Sequence, residues 1–183
     1  MLRLATTGLS HHAVHMTEQE ILESFRSTMR HVAATVHAVT TGREGERFGI
    51  LATAVSSLSF DPPSMLVCIN RGASLYEPMQ GAENFCINVL GLTNHDVAQA
   101  FMMTGEHEDR FSVGNWEDHH GVPVLANAQS SMICKIADRH TFGTHTIFIG
   151  QLIEVHHREN AKPLTYYDGN YIDISGAPKH SDV

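Results

Sequence analysis

The sequence is poor in basic residues and in long apolar runs. It has 12 Lys and Arg against 20 Asp and Glu, and its formal net charge is -8. The basic residues are scattered, whereas nucleic-acid-binding proteins gather them into a footprint, so no nucleic acid partner is expected. No apolar run approaches the roughly 20 residues that cross a bilayer, and the N-terminus lacks the apolar core of a secretory signal. We therefore expect a cytoplasmic protein with no membrane partner.

Cysteine is also scarce. The three cysteines, Cys68, Cys86 and Cys134, are odd in number and far apart, and no two of them have C-x-x-C spacing. Each lies in an apolar, strand-like stretch. This pattern predicts reduced, buried thiols that pack as small hydrophobic groups.

Histidine is abundant, with 14 residues, but its spacing is not that of a metal site. Adjacent residues point to opposite faces of a strand and lie about 100° apart on a helix, so adjacent histidines do not readily share a metal ion. The sequence has no HExxH motif and no His/Cys spacing of the zinc-site type. We therefore expect no specific metal. The adjacent pairs are His11-His12, His119-His120 and His156-His157.

The overall composition is that of a globular protein. Hydrophobic residues make up 42% of the chain and charged residues 17%, so disorder is a poor explanation for most of it. A length of 183 residues fits one domain with a substantial core. We expect a flexible lead-in over residues 1–15, one domain over 16–174 and a C-terminal tail over 175–183.

A helix is expected to open the domain. Thr17 and Glu20 have the spacing of a capping box, in which each side chain bonds a backbone amide of the other's turn. Apolar residues follow at helical spacing, which predicts a helix over residues 18–31. We expect the apolar stripe of this helix to cover a sheet. The stripe comprises Ile21, Leu22, Phe25 and Met29.

Most of the remaining chain has the alternation and β-branched content of strands. Short helices are expected at 74–81 and at 94–103, the second capped by Asn94. The polar residues 104–128 predict a long loop, either a flap or a link. The absence of βαβ alternation favours a mainly β (α+β) fold built as an antiparallel barrel. Strands are predicted at 34–41, 47–54, 64–70, 84–90, 129–139, 144–157, 164–167 and 170–174.

Common nucleotide-binding motifs are absent from the sequence. No G-x-G-x-x-G follows a strand, and neither a P-loop nor a G-x-S-x-G elbow occurs. The most informative segment instead crowds the hydroxyls of Thr53, Ser56, Ser57 and Ser59 beside small alanines, ahead of Asp61-Pro62-Pro63. Small side chains let a flat ring approach the backbone, and hydroxyls can bond phosphate oxygens. The plainer interpretation is an edge strand that ends in a polar turn.

Two further segments suggest contacts to an anion or a ring. In Asn70-Arg71-Gly72-Ala73-Ser74, an anion would gain helix amides and the Arg71 guanidinium. The alternative there is a capped helix with a surface arginine. In Gly143-Thr144-His145, a histidine at the start of a strand can reach over the lip of a pocket, although such a histidine can equally be an ordinary surface residue.

Taken in order, these segments resemble the flavin reductase family of two-component monooxygenases, which has the FMN-binding split-barrel fold. The resemblance covers about residues 18–174, and it depends on the ordered set rather than on any one motif. The matching segments are the opening helix, ATVHAVTT, ATAVSSLSFDPP, MLVCIN with RGAS, NFCINVL, GTHTIFIG and LTYYDGNY.

The resemblance implies a homodimer that transfers a hydride from NADH or NADPH to FMN or FAD. It also implies a partner, a separate flavin-dependent monooxygenase that receives the reduced flavin. His145 matches the histidine of the family's Gly-Asp-His motif and is the implied catalytic residue, near nicotinamide and flavin. Asn70, Arg71 and Ser74 are implied to meet the flavin phosphate.

The same resemblance implies further cofactor-binding positions. Phe85 and Phe111 would lie near the tail of the cofactor or its cover, and Tyr171 matches an aromatic residue near the closing end. One continuous segment would line the isoalloxazine and the ribityl chain through backbone amides and hydroxyls. Its residues are Ala52, Thr53, Ala54, Val55, Ser56 and Ser57.

The chain departs from the family pattern at two places. Thr144 stands where the Gly-Asp-His motif has its acid, and Leu51-Ala52-Thr53 replaces a Thr-Ala-Asn-type stretch. The residues therefore do not choose between FMN and FAD or between NADH and NADPH. Two other functions stay open at this point. One is a flavin-binding sensor or carrier without turnover, and the other is a different split-barrel enzyme, such as a relative of pyridoxamine-phosphate oxidase or a haem-related reductase.

Overall fold

Antiparallel β-strands are the main elements of the structure. The computed structural model describes residues 16–103, 107–159 and 162–176. The expected lead-in over 1–15 lies outside these ranges, as does all but the first part of the expected tail. None of the helices in the described ranges has the length and apolar content to cross a membrane.

Four α-helices and twelve strands follow one another in the described part of the chain. The helices are α1 (Glu18–Arg30), α2 (Tyr76–Gly81), α3 (His95–Met102), which follows a 3-10 turn at Leu92–Asn94, and α4 (His107–Phe111). The strands are β1 (Ala34–Thr35), β2 (His37–Arg43), β3 (Glu46–Ala52), β4 (Val55–Phe60), β5 (Pro63–Asn70), β6 (Asn84–Val89), β7 (Trp116–His119), β8 (Val122–Leu125), β9 (Ser130–Phe142), β10 (His145–His157), β11 (Leu164–Tyr167) and β12 (Asn170–Asp173).

Seven of the strands form one sheet, in the order β3-β2-β6-β9-β10-β5-β4, and β1, β11 and β12 form a second. Strands β3 and β4 lie at opposite edges of the large sheet, yet only Thr53 and Ala54 separate them in the chain. The sheet must therefore curl until its edges approach. The prediction of a mainly β fold is confirmed. Within the described residues the edges do not pair, so the sheet stays open rather than closing into a barrel.

Tight turns set the register of three hairpins. In each, a two-residue connection has both residues at positive φ, which is the geometry of a type I′ turn and the reason that glycine stands second. The predicted turn in GREGE is one of the three. The turns are Glu44-Gly45, His120-Gly121 and Asp168-Gly169.

The core lies on the inner face of the curled sheet. Phe85 and Phe148 are fully buried there beside Val67 and Ile69. The Phe85 ring packs against the backbone of β10 at Gly150, where an added Cβ would lie 2.5 Å from ring atom Cε1. Glycine is therefore required at this point of the strand.

The predicted opening helix is confirmed, but its expected packing is not. Thr17 Oγ1 accepts from the Glu20 amide, and the Thr17 amide donates to Glu20 Oε2 at 2.8 Å, which completes the capping box. None of the residues of α1 is buried, and Phe25 is 59% exposed. The apolar stripe therefore does not cover a sheet of its own chain, because α1 meets the rest of the chain near its C-terminal end, where the Asp168 amide donates to the Arg30 carbonyl.

The prediction of a long loop over 104–128 is wrong for most of that segment. Residues 107–125 contain α4 and the β7–β8 hairpin. Phe111 and Trp116 are the anchors, because both are buried and their rings meet at 4.9 Å between centroids. The polar residues Asp109, Glu117 and Asp118 lie exposed on these short elements, so the polar composition of the segment hid its helix and strands.

The cysteines follow the prediction in part. Cys86 and Cys134 are buried, and burial raises the pKa of both thiols, to about 12 for Cys134. Cys68 differs, because it is only half-buried. Val67 and Ile69 face the core, whereas Cys68, which lies between them, points to the other face of β5. That face borders a cleft and is not covered by a second layer of secondary structure.

Candidate functional site

A cleft of about 440 Å³ lies where β3 passes into β4, and we call it the main cleft. Its volume falls within the range of about 300–1,000 Å³ that is usual for small-molecule and cofactor sites. Its walls come from β3, β5, the β5–α2 connection and the start of β10. The lining residues are Ile50, Leu51, Ala52, Thr53, Ala54, Cys68, Asn70, Ala73, Ser74, Phe101, Arg110 and His145.

The wall at the β3–β4 connection is made of small side chains. Ala52 ends β3, and Thr53 and Ala54 link it to β4. The Ala54 carbonyl accepts from the Cys68 amide at 2.9 Å, which holds the connection against β5. Because the alanines project only a methyl group, a flat ring could lie close to this backbone.

The second half of the predicted flavin-binding segment lies elsewhere. Val55, Ser56 and Ser57 belong to β4, the edge strand, and pair with β5. Ser56 and Ser57 are exposed, and Ser56 Oγ donates to the neighbouring Ser57 carbonyl. These three residues are not among those that line the main cleft. The structure thus brings Ala52, Thr53 and Ala54 to the cleft and leaves the other three at the sheet edge.

The β5–α2 connection forms the rim of the cleft. Asn70 Oδ1 accepts from the Gly72 amide at 2.8 Å, and the Arg71 amide donates to the Thr144 carbonyl at 2.9 Å. The Arg71 side chain is exposed, and in the described part of the chain it has no hydrogen-bond or ion-pair partner. Helix α2 begins only at Tyr76 and has six residues, so the expected contribution of its amides to anion binding is small.

His145 stands beside Asn70 at the same rim, directly after the β9–β10 turn. Gly143 has a φ of +55°, and this two-residue turn lets β10 begin at His145, which pairs with Asn70 across the sheet. Thr144 Oγ1 lies 2.9 Å from His145 Nδ1. The threonine that replaces the acid of the family motif therefore fixes the ring by a hydrogen bond of its own.

Arg110 is the residue that sequence reasoning missed. It lies on α4, lines the main cleft, and donates from Nη1 to the Gly49 carbonyl at 2.8 Å and to Ser74 Oγ at 3.3 Å. Its Nε is buried and has no partner among the described residues. In the sequence, Arg110 could have been noticed as the neighbour of Phe111, an aromatic residue that is buried and so anchors this part of the chain.

The predicted aromatic residues do not reach the main cleft. Phe85 is fully buried in the core, and Phe111 packs between Phe101 and Trp116 behind the wall. Tyr171 lines a smaller neighbouring cleft of about 260 Å³, which we call the side cleft. The two clefts share three residues. The side cleft is lined by Val36, Leu51, Ala52, Thr53, Met102, Tyr166 and Tyr171.

The electrostatics of the main cleft suit an anion. Its lining includes the cation Arg110, and none of its lining residues carries a carboxylate. This is notable in a chain with 20 acidic residues. Behind the wall, His37 is buried with Nδ1 3.2 Å from the Ala52 carbonyl, and this burial lowers the pKa of its imidazole. The charged group in the lining of the cleft is therefore a cation, and the imidazole behind Ala52 favours its neutral form.

No specific metal is expected from the sequence, but one group of side chains could hold a metal ion. Ligand atoms from separate segments of the chain converge there. His119, Glu154 and His156 each offer one such atom, all within 4.8 Å of one another. Spacing along the chain does not reveal this group, because His119 meets Glu154 and His156 across strands.

Comparison with known proteins identifies the family. The model of the flavin reductase like domain matches residues 29–175. The chain belongs to the flavin reductase-like family. The resemblance inferred from the ordered segments is therefore confirmed.

Two curated relatives cover most of this chain. The FMN reductase (NADH) RutF of Pseudomonas syringae pv. syringae (strain B728a) is 36% identical over 149 residues, 81% of this chain and 84% of its own. The reductase component of the FADH(2)-dependent resorcinol hydroxylase of Rhizobium sp. (strain MTP-10005) is 34% identical over 166 residues, 89% of this chain and 93% of its own. Both relatives carry names of reductases that act on flavin or serve a flavin-dependent enzyme.

Solved structures agree with the fold. The crystal structure of a flavin reductase domain protein from Arthrobacter sp. FB24 superposes with a TM-score of 0.78 at 28% identity, covering 88% of this chain and 98% of that one. The NADH:FAD oxidoreductase SgcE6 of Streptomyces globisporus, at 22% identity, superposes with a TM-score of 0.79 over 92% of this chain and 96% of its own. The second likeness bears on the fold alone.

Proposed function

We propose that this protein is an NADH-dependent flavin reductase that transfers a hydride to FMN or FAD. The observation that carries the proposal is the main cleft. In a member of this family, one cleft unites the small residues after β3, the polar β5–α2 rim and His145. The split-barrel description of the fold belongs to the same proposal, supported by the curled sheet whose edge strands are joined by two residues.

The residues at hand fit a flavin. The alanines of the β3–β4 connection leave room for the isoalloxazine ring. Arg110 and Ser74 in the lining, with the exposed Arg71 on the adjoining β5–α2 connection, would offer a positive and hydroxylated end for the phosphate. When bound, the flavin accepts the hydride and the nicotinamide supplies it, with a proton from solvent completing the reduction. The protein's task is then to hold two rings in contact. The side cleft, which shares Ala52 and Thr53, gives space for part of the second nucleotide.

His145 is a polar side chain whose orientation in the site is held by a neighbouring residue. Its Nδ1 is held by Thr144, so its Nε2 is the atom left to meet a ligand, and it has no partner in the described ranges. Such a group can hold the nicotinamide amide or bond the flavin edge where negative charge develops. The hydrogen bond between Thr144 and His145 would orient the ring, as an acid would otherwise do.

An anaerobic test distinguishes the reductase from a flavin-binding module. Purified protein is mixed with NADH and FMN, and the visible absorbance of the flavin and the near-ultraviolet absorbance of NADH are followed together. We expect both to fall in equal molar amounts, many times faster than without protein. Tight FMN binding without bleaching would instead identify a carrier or sensor. NADPH and FAD in place of NADH and FMN then determine the preferred pair.

A separate flavin-dependent monooxygenase is proposed to consume the reduced flavin. The support is the name of the Rhizobium relative, the reductase component of a FADH(2)-dependent resorcinol hydroxylase. A reductase of this kind needs no bound substrate other than the two nucleotides, which agrees with a cleft that has no further catalytic dyad among its lining residues.

A homodimer completes the proposal. Helix α1 has 13 residues and buries none of them, whereas an isolated helix of that length is marginal in water. Its apolar stripe needs a permanent cover, and a second copy of the chain is the one partner that is always present. Each copy would cover the α1 stripe of the other.

The stripe also provides the test of the dimer. Sedimentation of the wild-type protein should give twice the mass of the chain. Phe25→Lys should give the single-chain mass, because it places a charge at the centre of the stripe. Ser27→Lys, on the other side of the helix, is the matched control and should stay dimeric. A monomeric wild type, or a dimer that survives Phe25→Lys, would contradict the proposal.

A further inference from the structure

We propose that His119, Glu154 and His156 form a binding site for a divalent transition metal of the zinc class, separate from the main cleft. The site joins the β7–β8 hairpin to the far end of β10. Two imidazole nitrogens and one carboxylate oxygen are the donor set of many three-ligand zinc sites, in which water takes the fourth position. The proposal is independent of flavin reduction.

The ligand atoms already lie near coordinating positions. Glu154 and His156 are two residues apart on β10, so their side chains share one face of the strand. Glu154 Oε1 lies 3.6 Å from His119 Nδ1 and is also hydrogen-bonded to His156 Nε2. A tetrahedral ion with bonds of about 2.1 Å separates its ligands by roughly 3.4 Å, so small side-chain rotations suffice.

The surrounding groups are those that support a metal ligand. His119 Nε2 lies 3.4 Å from Glu117 Oε2, so the ring can bind metal through Nδ1 while its other nitrogen bonds a carboxylate. Metal-bound histidines nearly always have such a partner, which fixes the tautomer and the ring orientation. His120 Nε2 lies 2.8 Å from Glu154 Oε2 and orients the carboxylate in the same way.

The hairpin that carries His119 is fixed to the sheet. At Gly42 an added Cβ would lie 2.1 Å from the Gly121 carbonyl oxygen, so β2 touches the β7–β8 turn directly. Asn84 Nδ2 donates to the His120 carbonyl at 3.0 Å, and Arg47 Nη2 pairs with Asp118 at 2.6 Å. A site on fixed elements binds metal without the entropy loss of ordering a loop.

The types of ligand atom indicate which metal ions would bind, and the position of the site indicates what a bound ion would do. Imidazole nitrogens favour zinc-class metals over Mg²⁺ and Ca²⁺, which prefer oxygen ligands. Glu154 is nine residues along β10 from His145, or roughly 30 Å at the usual rise of a strand. The ion would therefore link the β7–β8 hairpin to β10 and would not take part in chemistry at the main cleft.

Metal titration of the chelator-treated, tag-free protein tests the proposal. Calorimetry with Zn²⁺ should show one ion bound per chain and a rise in melting temperature, whereas Mg²⁺ should give neither. Glu154→Gln and His156→Gln should each weaken Zn²⁺ binding by about tenfold or more, because even the loss of a group that only orients a ligand costs about 10–100-fold. His157→Gln is the matched control, because its side chain points to the other face of β10, and it should bind as the wild type does.

Co²⁺ provides a second measurement that does not depend on stability. Bound at this site it should show the intense visible absorption of a four-coordinate ion, lost in Glu154→Gln and kept in His157→Gln. Circular dichroism of each variant establishes that it is folded. The proposal is overturned if Zn²⁺ does not bind, or if it binds equally to the wild type and to folded Glu154→Gln and His156→Gln proteins.

Discussion

At the scale of single residues, the candidate site depends on a pair of neighbours in a tight turn. Thr144 and His145 are joined by a hydrogen bond of 2.9 Å, and Gly143 supplies the positive φ that the turn requires. The histidine could be assigned from the sequence because of its place in the family motif. The compensating contact of the threonine could not, since it depends on the rotamers of two side chains.

His145→Ala should separate catalysis from binding. We expect NADH oxidation with saturating FMN to fall about tenfold, a rise of about 1.4 kcal/mol in the barrier, while FMN affinity stays nearly unchanged. The reason is that His145 lines the cleft with one imidazole ring, whereas the small side chains of the β3–β4 connection and Arg110 are left unchanged. Stopped-flow reduction and flavin titration measure the two quantities. Thr144→Val should show a smaller loss and Thr144→Ser almost none, and full turnover in His145→Ala would remove the residue from the mechanism.

Arg71→Ala should weaken binding of FMN but not of riboflavin. The Arg71 side chain is exposed, so it is free to meet a phosphate, and a charged hydrogen bond contributes about 1.5–3 kcal/mol. Riboflavin carries the same ring without the phosphate and serves as the matched ligand. Fluorescence titration of both ligands gives the two dissociation constants. Equal weakening for the two, or none for FMN, would show that the phosphate lies elsewhere.

At the scale of secondary-structure elements, one buried amide joins four strands. Asn88 on β6 donates from Nδ2 to the Ala38 carbonyl on β2, and its Oδ1 accepts from the Leu125 amide on β8 and from Ser131 Oγ on β9. Asn88 is fully buried, so each of these groups would lose its partner without gaining water. An asparagine in an apolar strand segment gives no sign in the sequence that it has this role.

Asn88→Ala should therefore destabilise the fold severely. We expect a loss of about 3 kcal/mol or more in the free energy of unfolding, because several buried polar groups are left unpaired at once. Denaturant unfolding at fixed protein concentration measures it. Asn170→Ala is the control, since Asn170 bonds only the Asp168 carbonyl at an exposed turn, and its cost should be below about 0.5 kcal/mol. Similar losses in the two variants would contradict the importance of the network.

At the scale of the whole molecule, periodic patterns decided what could be predicted. The helix at Glu18–Arg30 and the long strands β9 and β10 follow from capping and alternation, which are local. The segment 107–125 could not be recognised, because its elements are four or five residues long and are held by contacts of Phe111 and Trp116 with distant parts of the chain. The cover of α1 was also beyond prediction, since the chain that would bury it is not its own.

The candidate site also contains residues that could be named from the sequence and residues that could not. Ala52, Asn70 and His145 could be named because the ordered family segments contain them. Arg110 and the convergence of His119 on Glu154 were missed, because both arise from elements packed together across long separations in sequence. Sequence reasoning thus recovers residues within recognised segments and misses partners that only the packing of short elements brings near.

Stability should fall when the pH drops below about 6.5, and His37 should account for part of the fall. Burial lowers the pKa of this imidazole below its ordinary 6.5, so the unfolded chain takes up a proton before the folded one does. Stability is then complete above pH 6.5 and is lost as the pH falls toward the folded-state pKa. The acid group Glu154 does not contribute in this window, because hydrogen bonds from His156 and His120 hold its carboxyl pKa below 4.5.

The variant His37→Gln isolates this effect. Its melting temperature should be lower than that of the wild type at pH 7.5, since packing against Ala52 is disturbed, but it should decline less between pH 7.5 and 5.5. His157→Gln, which removes an exposed imidazole, should keep the wild-type slope, and a chelator removes any metal contribution. Parallel curves for His37→Gln and the wild type would mean that His37 titrates equally in both states. That result would contradict the burial of His37 as a neutral ring behind Ala52, a residue of the wall that is proposed to bind the flavin.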